Sequence, residues 1–522
     1  MTLQIKPGTT WDEVYARARA AAPEAFDADR ISNLVGGEWT RSGTPGEHIT
    51  PVDGTPIQGP PRLDRDAAEA AVRHAATEVE RLGAERAPGA ARAAEVGDEA
   101  RTVAAAVAEM RVQRDTLALL LVWEIGKPWR LACADVDRAL DGVDWYLAEI
   151  DRQLVGRTAL PGPVSNIASW NYPMSVQVHA ELVQCLAGNA VIAKTPSQGG
   201  FHTLTLAHAI MKRAGLPVSL LSGIGSSLGD VLIRSEEIGA LAFVGGRANG
   251  RKAATSLADT GKRHFLEQEG LNTWGVWEFS QWEDLARHLK KGFEYAKQRC
   301  TAYPRYVVQR ELFPEFLESY LPVVRGITFG HPLAVETSFD PLPDLDFGPV
   351  IHANKATELR EHYASAVAGG AIPLYRGDVA EDGRFLDGQD VSAYVAPACV
   401  LGPPSNWTLH HSEPFGPLDS VVIVDTESEL LAAMNASNGS LVASVATDDA
   451  DFGARVGEQL QAFKVGHNKP RSRGDRDEVF GGKGASWKGA FVGGDLLVQA
   501  VTEGEGQVYG NFPTYSLYPE TV

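Results

Sequence analysis

The chain has 522 residues and a formal net charge of −19, from 48 Lys and Arg against 67 Asp and Glu. That length allows roughly three domains or lobes around a sizeable core. A composition 44% hydrophobic and 22% charged argues against disorder for the bulk of the chain, and the acidic balance argues against nucleic acid as a partner, because it repels phosphate backbones.

Residues 1–30 read as a short helical extension. Their opening, MTLQIKPGTTWDEVYARARAAAPEAF, mixes Asp, Glu and Arg and has no apolar h-region, so it does not read as a secretory signal. No window approaches the ~18 apolar residues of a membrane span. Four cysteines with no C-x-x-C pair do not make a disulfide scaffold and fit a reducing compartment. The expected location is the cytoplasm, without membrane association.

A strand-like stretch, LVGGEWTRSG, follows, and turn signals stand at Asp53-Gly54 and Pro60-Pro61. Residues 64–87 and 90–122 are Ala-rich with helical apolar spacing and predict two long helices. WEIGKP breaks the second, and another helix is expected from about Arg130 to Ile150. From residue 163 short apolar runs alternate with helical ones: PVSNIASW a strand, 174–187 a helix, AVIAK a strand, 201–215 a helix. The rhythm continues with a strand near 219–224, a helix over 228–235 and the strand LAFV at 241–244. This alternation predicts an α/β fold with a parallel, doubly wound sheet. A second alternating block runs from near 266 to about 465, with strands at YVVQ (306–309) and SVVIVD (420–425). The stretch 497–522 is aromatic and turn-rich.

Cys300 stands between a helix-like run and a β-type run, in YAKQRCTAYPRYVVQ. A cysteine at such a junction can face a cleft, where its thiolate is a strong nucleophile; a lone cysteine is also commonly an inert small hydrophobe. Lys297, Arg299 and Arg305 lie close in sequence and favour the thiolate. Glu267, in FLEQEG, is a candidate general base, with Glu269 a rival two residues on. Asn171, in SWNYP, can donate to a developing oxyanion or serve as a turn residue. Gly223–Gly229 has one residue too many for G-x-G-x-x-G, and Gly245-Gly246 is another glycine turn after a strand; either suits a pyrophosphate or a plain turn. Gly225-x-Ser227-x-Gly229 matches the nucleophile elbow of α/β serine hydrolases, but the histidine such a triad needs after its acid is hard to find, because no His follows His467. No histidine or cysteine spacing indicates a metal site.

The order of these pieces is more specific than any one of them. SWNYP, GNAVIAKTPS, LAFVGG, LEQEG, QRC (33 residues after Glu267), EPFGP and FGGKGAS run collinearly, and in this they resemble the aldehyde dehydrogenase superfamily. The resemblance covers about residues 33 to 500. It implies a Rossmann-like cofactor domain (31–143 and 159–266), an α/β catalytic domain (267–466) and a small β oligomerisation arm (144–158 and 490–522), with 1–30 as an N-terminal extension. By position, Cys300 resembles the nucleophile, Glu267 the base on water, and Asn171 the oxyanion donor. Lys194, Ser197, Ser169, Trp170, Gly245, Gly246, Glu413 and Phe415 match cofactor positions. Tyr172, His179, Arg299, Arg471 and Arg473 fall near the substrate mouth.

The resemblance implies oxidation of an aldehyde to a carboxylic acid with NAD(P), in a homodimer or homotetramer. Two inferences come from charge. Ser197 stands where the family's pattern has a Glu that repels a 2′-phosphate, so NADP is expected to be accepted and preferred over NAD. The cations of KVGHNKPRSRGDR, with Arg299, suit an anionic aldehyde, or form a solvated loop paired with Asp475 and Asp477. The alternatives are a CoA-acylating relative, disfavoured by Glu267, and a catalytically silent structural member, disfavoured by the joint presence of Cys300, Glu267 and Asn171. Four departures mark a divergent branch. Lys297 replaces a usual glycine, Glu269 and Leu271 replace Gly and Lys, Gly246 replaces Ser, and FGGKGASWKG lacks the common Gly-Arg-Glu.

Overall fold

Two sheets carry the molecule, a computed structural model that describes residues 3–85, 92–437, 439–472 and 476–504. The first has eight strands in the order Trp487–Gly489, Arg263–Gln268, Ala240–Gly245, Val164–Ile167, Val191–Lys194, Val218–Leu221, Asn33–Val35 and Glu38–Thr40. Its five central strands are parallel, and strands such as VIAK and VSLL are buried at every residue, as a sheet covered on both faces requires. Successive strands step outward from Val164–Ile167 to Val218–Leu221, and the chain then returns to place Ala240–Gly245 on the other flank. The strand order therefore reverses between Val164–Ile167 and Ala240–Gly245, where an open α/β sheet forms its crevice at the carboxyl ends.

The second sheet has seven strands in the order Ile372–Arg376, Ala398–Leu401, Leu418–Val424, Arg305–Gln309, Thr273–Val276, Ser440–Ala446 and Ala462–His467, parallel except for its first edge strand. Residues 269–272 carry the chain from the first sheet into the second. A side chain at Gly270 would stand 2.3 Å from Ser486 Oγ and 2.8 Å from the Ser440 Cα, so the joint closes only on glycine. The boundary expected between 266 and 267 falls inside a strand, because Glu267 belongs to the first sheet.

Three further expectations need correction. The helix expected over 90–122 is two, Arg92–Val112 and Arg114–Ile125, broken at Gln113. The helix expected over 174–187 opens as a π-helical turn, Pro173–Val178, before His179–Leu186. In its first turn, where helix N–H groups have no intrahelical partner, the Asp135 carboxylate accepts from both the backbone N–H and the hydroxyl of Ser175. The arm expected at 144–158 is mostly helix, since Trp129–Gln153 runs through it. Only Arg157–Ala159 is strand, paired with Thr502–Gly504. Residues 505–522 lie outside the described residues.

The N-terminal segment packs on its own chain. Gln4–Ile5 pairs antiparallel with Ala334–Val335, and helix Trp11–Ala21 buries Trp11, Val14, Tyr15 and Ala18 against helices Arg114–Ile125 and Phe201–Ala214. No helix among the described residues is long and apolar enough to cross a membrane.

Candidate active site

The carboxyl ends of the first sheet gather four of the expected residues. Ile167 lies beside Lys194, and Val244 beside Glu267, in adjacent registers. Asn171 follows the first of these strands, and Gly245 ends the next. Gly246 caps helix Arg247–Leu257, whose unpaired N–H groups face outward from the strand end. Lys194 is buried and donates to the Thr195 carbonyl at 2.9 Å; burial lowers its pKa to about 8. Ser197, three residues on, is exposed, and Ser169 is half-buried.

Cys300 arrives from the second sheet, on the loop between helix Trp282–Gly292 and strand Arg305–Gln309. It is half-buried, whereas Cys133, Cys185 and Cys399 are buried, and burial pushes those three thiols up, Cys133 to about 11. Of the four, only Cys300 is placed to meet a solute.

The two sheets meet at this loop. Asn171 Nδ2 donates to the Gln298 carbonyl at 3.0 Å, two residues before the thiol. That bond uses one of the two amide hydrogens. Gln298 is pinned in turn, its Oε1 accepting from Ile351 N at 2.9 Å. On the other side Asn272 Nδ2 donates to the carbonyls of Cys300, at 2.7 Å, and Ala302, at 2.8 Å. Before the thiol, Tyr295, Ala296 and Lys297 take left-handed φ values of 59°, 52° and 56°, each costing about 1 kcal/mol or more for a residue with a Cβ. Lys297 Nζ lies fully buried 2.6 Å from Asp419 Oδ1; burial pulls the lysine down and the carboxyl up, and each partner opposes the other's shift.

An aromatic wall lines the loop. Trp170 stands edge-on to Phe415 at 5.9 Å and to Tyr295 at 6.2 Å, and Tyr172 to Tyr295 at 6.1 Å. Lys127 Nζ sits 3.8 Å above the Tyr172 ring and is held by Asp135 at 2.8 Å. Burial raises the Tyr172 phenol well above its ordinary range.

Glu267 is 2% exposed, directly opposite Trp487 in the sheet. It borders a cavity of about 60 Å³ that Asn166, Gln177, His179 and Trp487 also line. His179 is thus packed on that cavity, edge-on to Tyr146 at 5.6 Å. Glu269 stands just past the strand end, not on its face. It flanks Gly246, where an added Cβ would lie 3.6 Å from its Oε2. The Glu413 carboxyl is held well above the usual range by burial first, then by Glu269 and Glu267, with Lys355 and Arg247 opposing.

The basic residues expected at the substrate mouth are already engaged. Arg299 donates to the Gly292 carbonyl at 2.8 Å and lies 3.9 Å from Glu294. Arg471 donates to both oxygens of Glu478, at 3.0 and 2.8 Å, and Asp475 lies outside the described residues. Arg473 lies outside the described residues. Ser227 sits in the first turn of helix Gly225–Arg234, and among the described residues no histidine is hydrogen-bonded to its hydroxyl. Sequence reasoning missed Asn272 and Asp419. The signal available was one polar residue at the start of an apolar run, in LNTWGV and LDSVVIV.

Comparison with known proteins fits this arrangement. The model of the Aldehyde dehydrogenase family matches residues 39–503. The alpha-ketoglutaric semialdehyde dehydrogenase of Bacillus subtilis (strain 168) is 26% identical over 475 residues, covering 86% of this chain and 92% of that protein. Among solved structures, the NADP-dependent glyceraldehyde-3-phosphate dehydrogenase of Bacillus halodurans C-125, complexed with NADP, superposes with a TM-score of 0.79 at 23% identity, covering 91% of this chain and 98% of that one. The betaine aldehyde dehydrogenase of Staphylococcus aureus, in complex with NAD+, superposes with a TM-score of 0.79 at 21% identity over 94% and 96% of the two chains.

Proposed function

This chain belongs to the aldehyde dehydrogenase family, an NAD(P)-dependent oxidoreductase of aldehydes, and from that premise we propose that Cys300 is its nucleophile, Asn171 its oxyanion donor and Glu267 the base on water. The observation that carries this assignment is the Asn171 amide at 3.0 Å from the carbonyl of Gln298, which brings the crevice of one sheet to the cysteine loop of the other.

The residues around the crevice suit a dinucleotide. Lys194 is a buried cation with a backbone carbonyl for a partner, Gly245 and Gly246 open a helix N-terminus, and Glu413 is a half-buried carboxyl near Glu269, which flanks Gly246. Lys194 and Ser197 would hold the adenosine side, Gly245 and Gly246 the pyrophosphate, and Ser169, Trp170, Glu413 and Phe415 the nicotinamide side. When bound, NAD(P)+ accepts the hydride.

The protein supplies the rest. The Cys300 thiol gives up its proton to solvent water, its sulfur bonds to the aldehyde carbon, and the carbonyl oxygen takes the negative charge as the C=O π bond breaks. The free hydrogen of Asn171 Nδ2 and the backbone N–H of Cys300 then donate to that oxygen. After oxidation leaves a thioester, Glu267 takes a proton from water, the hydroxide adds to the acyl carbon, and the C–S bond breaks to release the acid, the departing sulfur recovering the proton that Glu267 took.

Preference for NADP rests on exposed Ser197 beside Lys194, which offers a hydroxyl and a cation, and no carboxylate at that position, to a 2′-phosphate. A homodimer or homotetramer is supported by the Arg157–Ala159 and Thr502–Gly504 ribbon, which has two strands among the described residues. A cytoplasmic location is supported by four cysteines outside any disulfide.

An aldehyde panel followed by reduced-nicotinamide absorbance tests the reading. Cys300→Ala is expected to abolish turnover, and turnover at the parent rate would reject the nucleophile. A kcat/KM that strongly favours NAD would reject the cofactor preference.

A further inference from the structure

The turn before Cys300 takes a left-handed form without glycine, at Tyr295, Ala296 and Lys297. Glycine occupies this region freely, whereas residues with a Cβ stay there only when their surroundings hold them. Tyr295 is held by its N–H, which donates to the Asp346 carbonyl at 2.9 Å, and by the aromatic wall.

Lys297 is held by charge. Its ammonium donates to Asp419 Oδ1 at 2.6 Å, to the Tyr303 carbonyl at 3.0 Å and to the Tyr306 hydroxyl at 3.1 Å, and so uses all three hydrogens. Asp419 Oδ2 accepts from the Tyr320 hydroxyl at 2.8 Å. Both charged side chains are fully buried. Asp419 stands on strand Leu418–Val424, which pairs in register with Arg305–Gln309, the strand that follows the cysteine loop. The loop is therefore fastened to one rigid sheet at both ends. A buried ion pair is often no more stabilising than apolar residues of the same volume, so its value here is conformational.

We propose that Lys297 and Asp419 are a positioning pair, which holds the 295–297 turn left-handed and so aims the Cys300 thiol into the crevice. The proposal rests on the assignment of Cys300 as nucleophile. Neither residue touches the reacting atoms.

The test is the rate of Cys300 alkylation by iodoacetamide, read by peptide mass spectrometry on the full chain without aldehyde or cofactor, with kcat measured alongside. Asp419→Leu strands a lysine in the strained turn without its anchor, and is expected to slow both about tenfold or more. The double variant Lys297→Gly/Asp419→Leu needs no anchor, and is expected to return both to within about threefold of the parent. A merely structural role predicts that the double variant is as damaged as the single one. That result, or unchanged alkylation in a folded Asp419→Leu protein, overturns the proposal. If Asp419→Leu does not fold, Tyr320→Phe removes one hydrogen bond from Asp419 and is expected to slow alkylation about threefold; alkylation at the parent rate would again overturn the pair. Failure of the nucleophile assignment appears separately, as turnover that survives Cys300→Ala.

Discussion

Asn171 and Gln298 are joined by one hydrogen bond of 3.0 Å, from a side chain on one sheet to a backbone carbonyl beside the thiol on the other. On the proposed assignment the amide has two tasks, locking the loop with one hydrogen and offering the second to the substrate oxygen. Asn171→Ala is expected to lower kcat about 10²- to 10³-fold and to change KM little. Steady-state kinetics with a good aldehyde check this, and a pure KM effect would remove Asn171 from the oxyanion site.

Glu267→Gln keeps the shape of the base but cannot take a proton from water. It is expected to give a burst of about one reduced cofactor per active chain, followed by turnover slowed about 10²-fold or more. A rapid-quench or stopped-flow trace distinguishes this from a linear, uniformly slow progress curve, which would place Glu267 before the hydride step.

Lys194 has its pKa lowered to about 8 by burial. Below that pH the empty groove already holds the ammonium; above it, a phosphate-bearing cofactor must bind together with a proton. Affinity for NADPH is therefore expected to weaken as pH rises through 8, approaching tenfold per pH unit. Fluorescence titration of NADPH checks the slope, and Lys194→Met should flatten it. The same shift lowers stability below pH 8 and returns it as pH climbs toward the unfolded lysine's value of about 10.4.

Asn272 holds the carbonyls of Cys300 and Ala302 and accepts from Val442 N at 3.2 Å. Asn272→Ala would strand these buried groups at a cost of about 1–3 kcal/mol. A lower urea midpoint with unchanged m-value is the expected signature.

Arg471 is compensated by Glu478, which also binds Lys464. Arg471→Ala is accordingly expected to change KM for a carboxylate-bearing aldehyde and for a neutral aromatic one by the same factor, within about twofold. A selective rise for the acidic substrate would return Arg471 to the binding site.

The parallel sheets were legible because buried strands read as short apolar runs, and AVIAK and LAFV need no partner to be recognised. The π-helical turn was not, because the run PMSVQV carries ordinary helical residues, and Asp135, which caps Ser175, lies 40 residues away in sequence. The arm was misread where helix Trp129–Gln153 keeps its apolar stripe beyond the expected end. Cys300, Glu267, Asn171, Lys194 and Gly245 were singled out by order along the chain, and the structure draws them to strand ends and loops at one crevice. What holds the thiol was less visible: Asp419 and Lys297 are 122 residues apart, and a charge inside LDSVVIV gives no hint of its partner.

The pairing of Gln4–Ile5 with Ala334–Val335 has a consequence for synthesis. Residues 4 and 5 must wait for more than three hundred later residues before their strand partner emerges. Meanwhile Trp11 and its neighbours have only helices from the first half of the chain to settle on, so the nascent protein passes through a long interval with that seam open.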